Sequence, residues 1–84
     1  MSRQIVGRYI VIDSNICHGK PTFIGTRIMV ADVIKMAAQG LAWDTIAYEW
    51  HDSITREAIA EAISLAGQAF LKHADEFVVE TISA

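Results

Sequence analysis

Gly19-Lys20-Pro21-Thr22-Phe23-Ile24-Gly25-Thr26-Arg27-Ile28 is the densest run of backbone punctuation in the chain and contains its only proline. Pro21 fixes its own φ and lacks an N–H, it steers Lys20 toward extended geometry, and Gly19 and Gly25 accept positive φ without a Cβ clash. The stretch therefore reads as a turn or knuckle. Upstream of it the sequence is strand-like and downstream it is almost wholly helical, so the chain changes architecture here.

Just upstream, Arg8-Tyr9-Ile10-Val11-Ile12 is β-branched and aromatic and ends at the turn cluster Asp13-Ser14-Asn15, the pattern of a short strand. Thr26-Arg27-Ile28-Met29-Val30 forms a second candidate strand, too distant for a tight hairpin but able to pair with the first. A lone two-stranded unit is marginal in water. It needs helices beneath it or a second copy of itself beside it.

From Val30 the apolar period becomes helical: Val30, Val33, Ile34, Ala37, Ala38 and Leu41 make one stripe, with Gly40 as the stop. A short second helix begins near Asp44, turns Ile46, Ala47 and Trp50 inward, and is broken by His51-Asp52-Ser53. Thr55 caps a third helix with Glu57 well placed against its dipole, and the stripe Ile59, Ala62, Ile63, Ala66, Phe70 carries it to about Asp75. Gly67 lies inside that helix at a cost of about 1 kcal/mol relative to alanine, which points to a close helix contact there. Phe77-Val78-Val79 is β-like, a strand or a frayed helix end. The expected fold is α+β and mainly α, three helices in the outline of a helix-turn-helix trio with short N-terminal β-strands. One domain spans 1–84, with a β-rich element over 1–30, the bundle over 30–75 and a tail over 76–84.

Eighty-four residues at 52% hydrophobic content give a thin core, and small domains of this kind are often supplemented by disulfides, metals or oligomerisation. Cys17 is the only cysteine, so no disulfide forms within the chain. Cys17-His18, with His51 and His73 far off in sequence, does not supply the ligand set of a zinc site. Oligomerisation is the remaining supplement, and a homodimer is expected. No cofactor is expected either: the order of Gly19, Lys20, Gly25 and Thr26 is wrong for a phosphate-cradling loop, and the adjacent His51-Asp52-Ser53 cannot converge as a catalytic triad. The expectation is a protein that is not an enzyme. With no apolar run of about 18 residues and no signal-peptide h-region near Met1, it is expected to be cytoplasmic.

The net charge of −3 hides an asymmetry. Residues 1–35 hold Arg3, Arg8, Lys20, Arg27 and Lys35 against Asp13 and Asp32, whereas residues 36–84 hold Arg56 and Lys72 against Asp44, Glu49, Asp52, Glu57, Glu61, Asp75, Glu76 and Glu80. One half can face an anion and the other a basic protein. The candidate DNA contacts are Arg3, Arg8, Lys20, Arg27 and Arg56. Arg27 has the alternative of a structural ion pair with Asp13 or Asp32. The outward face of the third helix offers Arg56, Glu57, Ala60, Glu61 and Ser64, and two carboxylates there oppose phosphate. Trp43, Trp50, Phe77 and Val78 are candidate partner-binding residues, with core packing as the alternative for the two tryptophans.

The run His18-Gly19-Lys20-Pro21-Thr22-Phe23-Ile24-Gly25-Thr26-Arg27-Ile28-Met29-Val30 resembles the G-K-P-x-x-x-G-T-R-I-x-V signature of the domain of unknown function 433 family. The resemblance continues through Gly40-Leu41, Ile46, Trp50 and Asp52-Ser53-Ile54-Thr55, covering roughly residues 8–66. It implies a small bacterial homeodomain-like domain with an N-terminal β element, often dimeric. It further implies an antitoxin-like role: a DNA-binding regulator paired with a PIN-domain-like toxin. The chain departs from the family's pattern at Ala42 or Trp43, where Ser or Thr is common, and at His51, where Pro is common. A protein-interaction or dimeric structural module that does not bind DNA is the alternative.

Overall fold

The structure is a computed structural model that describes residues 3–83. It is α+β: a three-stranded antiparallel sheet followed by three helices. Strands β1 (Arg3–Val6) and β2 (Ile10–Asp13) form a hairpin in the register Arg3↔Asp13, Gln4↔Ile12, Ile5↔Val11, Val6↔Ile10. Strand β3 (Thr22–Phe23) adds to the far side of β2, giving the order β1-β2-β3. Alternation along the strands sends Ile10 and Phe23 into the helical core with Val6 packed against it. Val11 and Thr22 occupy the other face, yet they are also buried, and β2 lies close to the turn Cys17–Gly19, whose three residues have φ of +49°, +58° and +80°.

Two strand expectations are corrected. The hairpin turn takes up Arg8 and Tyr9, so the strand expected over Arg8–Ile12 begins at Ile10 and gains a partner, β1, that the polar flank Arg3-Gln4 concealed. The strand expected over Thr26–Val30 is absent, and β3 lies instead inside the knuckle. Thr26 explains the exchange: its hydroxyl donates to the Phe23 carbonyl at 2.8 Å and accepts the Ile28 N–H at 3.0 Å. With Gly25 at φ +80°, these bonds fold residues 23–28 back on themselves. Met29 alone returns to bridge Thr22.

The helices follow the periodic stripes. Helix α1 (Val30–Ala38) buries Val30 and Val33 and ends before Gly40 at φ +90°. Helix α2 (Trp43–Glu49) buries Ile46 and Ala47. Helix α3 (Arg56–Lys72) buries Ala58, Ile59 and Ala62, and the Thr55 hydroxyl accepts the Ala58 N–H at 3.2 Å as its cap. The α2–α3 turn places His51 and Asp52 at φ +56° and +58°, a conformation in which non-glycine residues are uncommon.

Two helical expectations fail at the far end. α3 stops at Lys72 rather than near Asp75, where a 3-10 turn over Ala74–Phe77 bends the chain back. That turn is held by a His73 Nδ1 to Glu76 Oε2 contact of 2.7 Å and a tilted Phe70–Phe77 ring pair at 5.6 Å. Val78 and Val79 form neither strand nor helix. A Cβ on Gly67 would meet nothing within 4 Å, so no close helix contact exists there among the described residues. The radius of gyration, 14.8 Å, exceeds the roughly 12 Å of a compact domain of this length, since the outer end of α3 and the tail project from the core. Among the described residues no helix is long and apolar enough to cross a membrane.

Candidate nucleic-acid and partner interface

The five cations singled out in the sequence fall into two groups. Arg3 pairs across the hairpin with Asp13 at 3.9 Å, and Arg56, in the first turn of α3, pairs with Asp44 of α2 at 3.3 Å. Both partners of the second pair are exposed, so it is worth at most about 1 kcal/mol and its arginine can exchange onto another anion. Arg8, Lys20 and Arg27 make no ion pair among the described residues. Asp13, one of the two partners considered for Arg27, is engaged by Arg3.

Arg8 stands at the tip of the β1–β2 hairpin, beside the positive end of the α3 dipole. With Tyr9, Ile24, Ser53 and Thr55 it lines an open cavity of about 290 Å³. Arg27 and Lys20 sit on the knuckle, held near each other because the Cys17 thiol reaches the Arg27 carbonyl at 3.6 Å while the Lys20 N–H bonds the Cys17 carbonyl at 3.1 Å.

Glu61 corrects the expectation of a carboxylate on the outward face of α3. It is half-buried, and its two oxygens accept the Arg8 N–H at 3.0 and 2.8 Å and the Tyr9 N–H at 2.8 Å. Two consecutive backbone amides in a turn form a small anion-binding concavity, and here a side chain from the same chain fills it. Gly7 permits the approach: a Cβ there would lie 2.7 Å from the Glu61 carboxyl carbon, at a φ of +61°. No local pattern in the sequence signals a contact across more than fifty residues, so Glu61 was unreadable as a fastener. Its withdrawal leaves Glu57 as the exposed carboxylate in the first turn of α3.

Trp43 and Trp50 are both half-buried against the core, and the Trp50 indole N–H points at the Met36 sulfur at 3.3 Å. Phe77 and Val78 are different: they are 63% and 61% exposed, among Phe70, Leu71, Val79 and Ile82, which are also exposed. Asp75, Glu76 and Glu80 are interleaved with them. The exposed apolar surface is thus broader than Phe77 and Val78 alone, and the apolar-acidic alternation after Lys72 was its visible signal. No group of three or more potential metal ligands occurs among the described residues.

Comparison with curated proteins and with solved structures gives no match. A family model described as protein of unknown function (DUF433) matches residues 10–66. That span runs from the first core residue of β2 to Ala66, past which every residue of α3 is exposed, and so takes in the knuckle and every buried residue. With more than half of its length and its entire folded centre inside the match, the chain belongs to the DUF433 family.

Proposed function

We propose that this protein is a non-catalytic, cytoplasmic regulator of the antitoxin type, whose acidic, apolar C-terminal end docks onto a basic protein such as a PIN-domain-like toxin. The observation that carries the proposal is the surface formed by Phe70, Leu71, Phe77, Val78, Val79 and Ile82, every one of them more than half exposed. Of these, Phe70 and Phe77 pack ring against ring, and exposed apolar side chains gathered in one segment of chain favour an interaction site. The interleaved carboxylates favour a positively charged partner and disfavour nucleic acid at this end. In this proposal α2 and α3 are the helix pair of a homeodomain-like bundle. The basic residues Arg8, Lys20, Arg27 and the exchangeable Arg56 contact the DNA backbone. The inward turn of Glu61 supports that assignment, because it removes one of the two carboxylates that would repel phosphate along α3.

Coexpression with the product of the neighbouring gene, followed by copurification, tests the protein partner. The full chain is expected to hold it, and a chain truncated after His73 to lose it while staying folded. Equal retention by the truncated chain would sink the C-terminal docking site. For the DNA end, a mobility shift on the upstream DNA is expected to weaken in a Lys20→Ala, Arg27→Ala double variant, with a shallower salt dependence. Absence of any shift at low salt would remove DNA from the proposal and leave a protein-interaction module.

A further inference from the structure

Beyond the core, the apolar stripe of α3 continues in small residues. Ala66, Ala69, Phe70 and His73 recur at the helical spacing that sets side chains on one face, and the returning turn Ala74–Phe77 brings the Phe77 ring back to Phe70. Two alanines beside two phenyl rings leave a space. It is an open cavity of about 380 Å³, lined by Ala66, Ala69, Phe70, His73, Glu76 and Phe77. That volume lies near the lower end of the roughly 300–1,000 Å³ of small-ligand pockets, which suits a single long side chain.

Two titratable groups line this cavity, and Asp75 and Glu80 lie close to them in sequence. His73 Nδ1 meets Glu76 Oε2 at 2.7 Å, which fixes the direction of the carboxylate, while Oε1 makes no hydrogen bond or ion pair among the described residues. Lys72, the one Lys or Arg in residues 67–83, makes no ion pair among the described residues. An apolar occupant would take water from Glu76 and give nothing in return, and an anion would be repelled by it. The fitting occupant is a cation on an apolar stem. Between the two cationic side chains the rings decide. Phe70 and Phe77 lie 5.6 Å apart, tilted by 38°, and a guanidinium is planar, weakly hydrated, and able both to stack on aromatic faces and to fork onto a carboxylate. An ammonium is a compact, strongly hydrated point charge.

We infer that this cavity receives the side chain of an arginine presented by the protein partner. The inference rests on the reading of the C-terminal end as the partner-docking surface and narrows that surface to one anchor. The stem of the arginine lies along Ala66 and Ala69, its plane stacks on the phenyl rings, and its N–H groups donate to Glu76. The turn over Ala74–Phe77 builds the site, since it is this turn that returns Glu76 and Phe77 to the helix face.

The arginine amide itself is the probe. Uniformly ¹⁵N-labelled full-length protein is titrated with N-acetyl-arginine amide, its neutral isostere N-acetyl-citrulline amide, and N-acetyl-lysine amide. The arginine compound is expected to move the backbone amides of Ala69, Phe70 and Phe77 saturably, and the lysine and citrulline compounds to bind at least about fivefold more weakly. Glu76→Gln, which keeps an acceptor for His73, is expected to weaken arginine binding about fivefold, as is Phe77→Ala, with the amides of Ile46 and Ile59 unmoved in both. Equal binding of arginine and citrulline, or arginine binding unchanged in both variants, overturns the inference. So does saturation at amides elsewhere in the chain. A protein that captures its neighbour's product on coexpression yet shows no saturable response to the arginine amide overturns the arginine site and leaves the docking end standing. Capture that survives truncation after His73 overturns the docking end itself, whatever the titration gives.

Discussion

Residues 3–66 and residues 67–83 share one continuous helix and almost nothing else. In the first region Ile10, Phe23, Val33, Ile46 and Ile59 are at most 3% exposed, and every buried side chain of the described chain lies there. In the second, every described residue is exposed, including two phenylalanines and two valines. Composition does not separate them by residue type, since both carry Ala, Ile, Leu, Val and Phe. What separates them is whether a second element lies alongside. α1 and α2 pack on the first half of α3, and past Ala66 the helix has only its own returning tail for company. An apolar residue without a neighbour contributes little to folding and remains available for binding.

That contrast can be broken most forcefully at its centre. Ile59, with no exposed surface, touches the core shared by sheet and helices. Ile59→Ala is expected to cost about 2–5 kcal/mol of stability in a denaturant melt; a cost below that range would mean that the core is far looser than its burial. The next effect is at the fastening of helix to sheet. Glu61→Ala removes the acceptor of two backbone amides, one of them part-buried, and is expected to cost about 1.5–3 kcal/mol. An unchanged melt would show that water replaces the carboxylate without penalty. The smallest effect is expected from truncation after His73. It removes the Phe77 ring from Phe70 but no buried side chain, so stability should change by less than about 0.5 kcal/mol. A larger loss would place the tail within the folded unit and erase the division between the two regions.

The helices were legible in the sequence because their signals are local. The Val30-Val33-Ile34 stripe, the Gly40 stop and the Thr55 cap each act within a turn or two, and each has its counterpart in the structure. The sheet was less legible because strand identity depends on a distant partner. Thr22-Phe23 is a strand by virtue of lying beside Val11 and Ile10, whereas the more strand-like Thr26–Val30 is diverted by one threonine hydroxyl. Of the site residues, Phe77 and Val78 could be read from the run of apolar and acidic residues that no helix stripe absorbed. Arg3 and Arg56 were read as free cations, and only the fold shows the carboxylates that meet them. The knuckle fixed the family before it fixed any geometry.

Glu61 also has a consequence for the time course of folding. Its partners Arg8 and Tyr9 lie 53 and 52 residues away, so closing this contact encloses well over half the chain and carries one of the larger loop-closure entropies in the molecule. The hairpin, the knuckle and the α2–α3 pair form from near neighbours in sequence and need not wait for it. A contact made after the principal barrier governs how fast the native state is lost, with little influence on how fast it is reached. If this contact closes after the principal barrier, Glu61→Ala is expected to speed unfolding and leave the folding rate nearly unchanged, and Gly7 is the residue that leaves the carboxylate room.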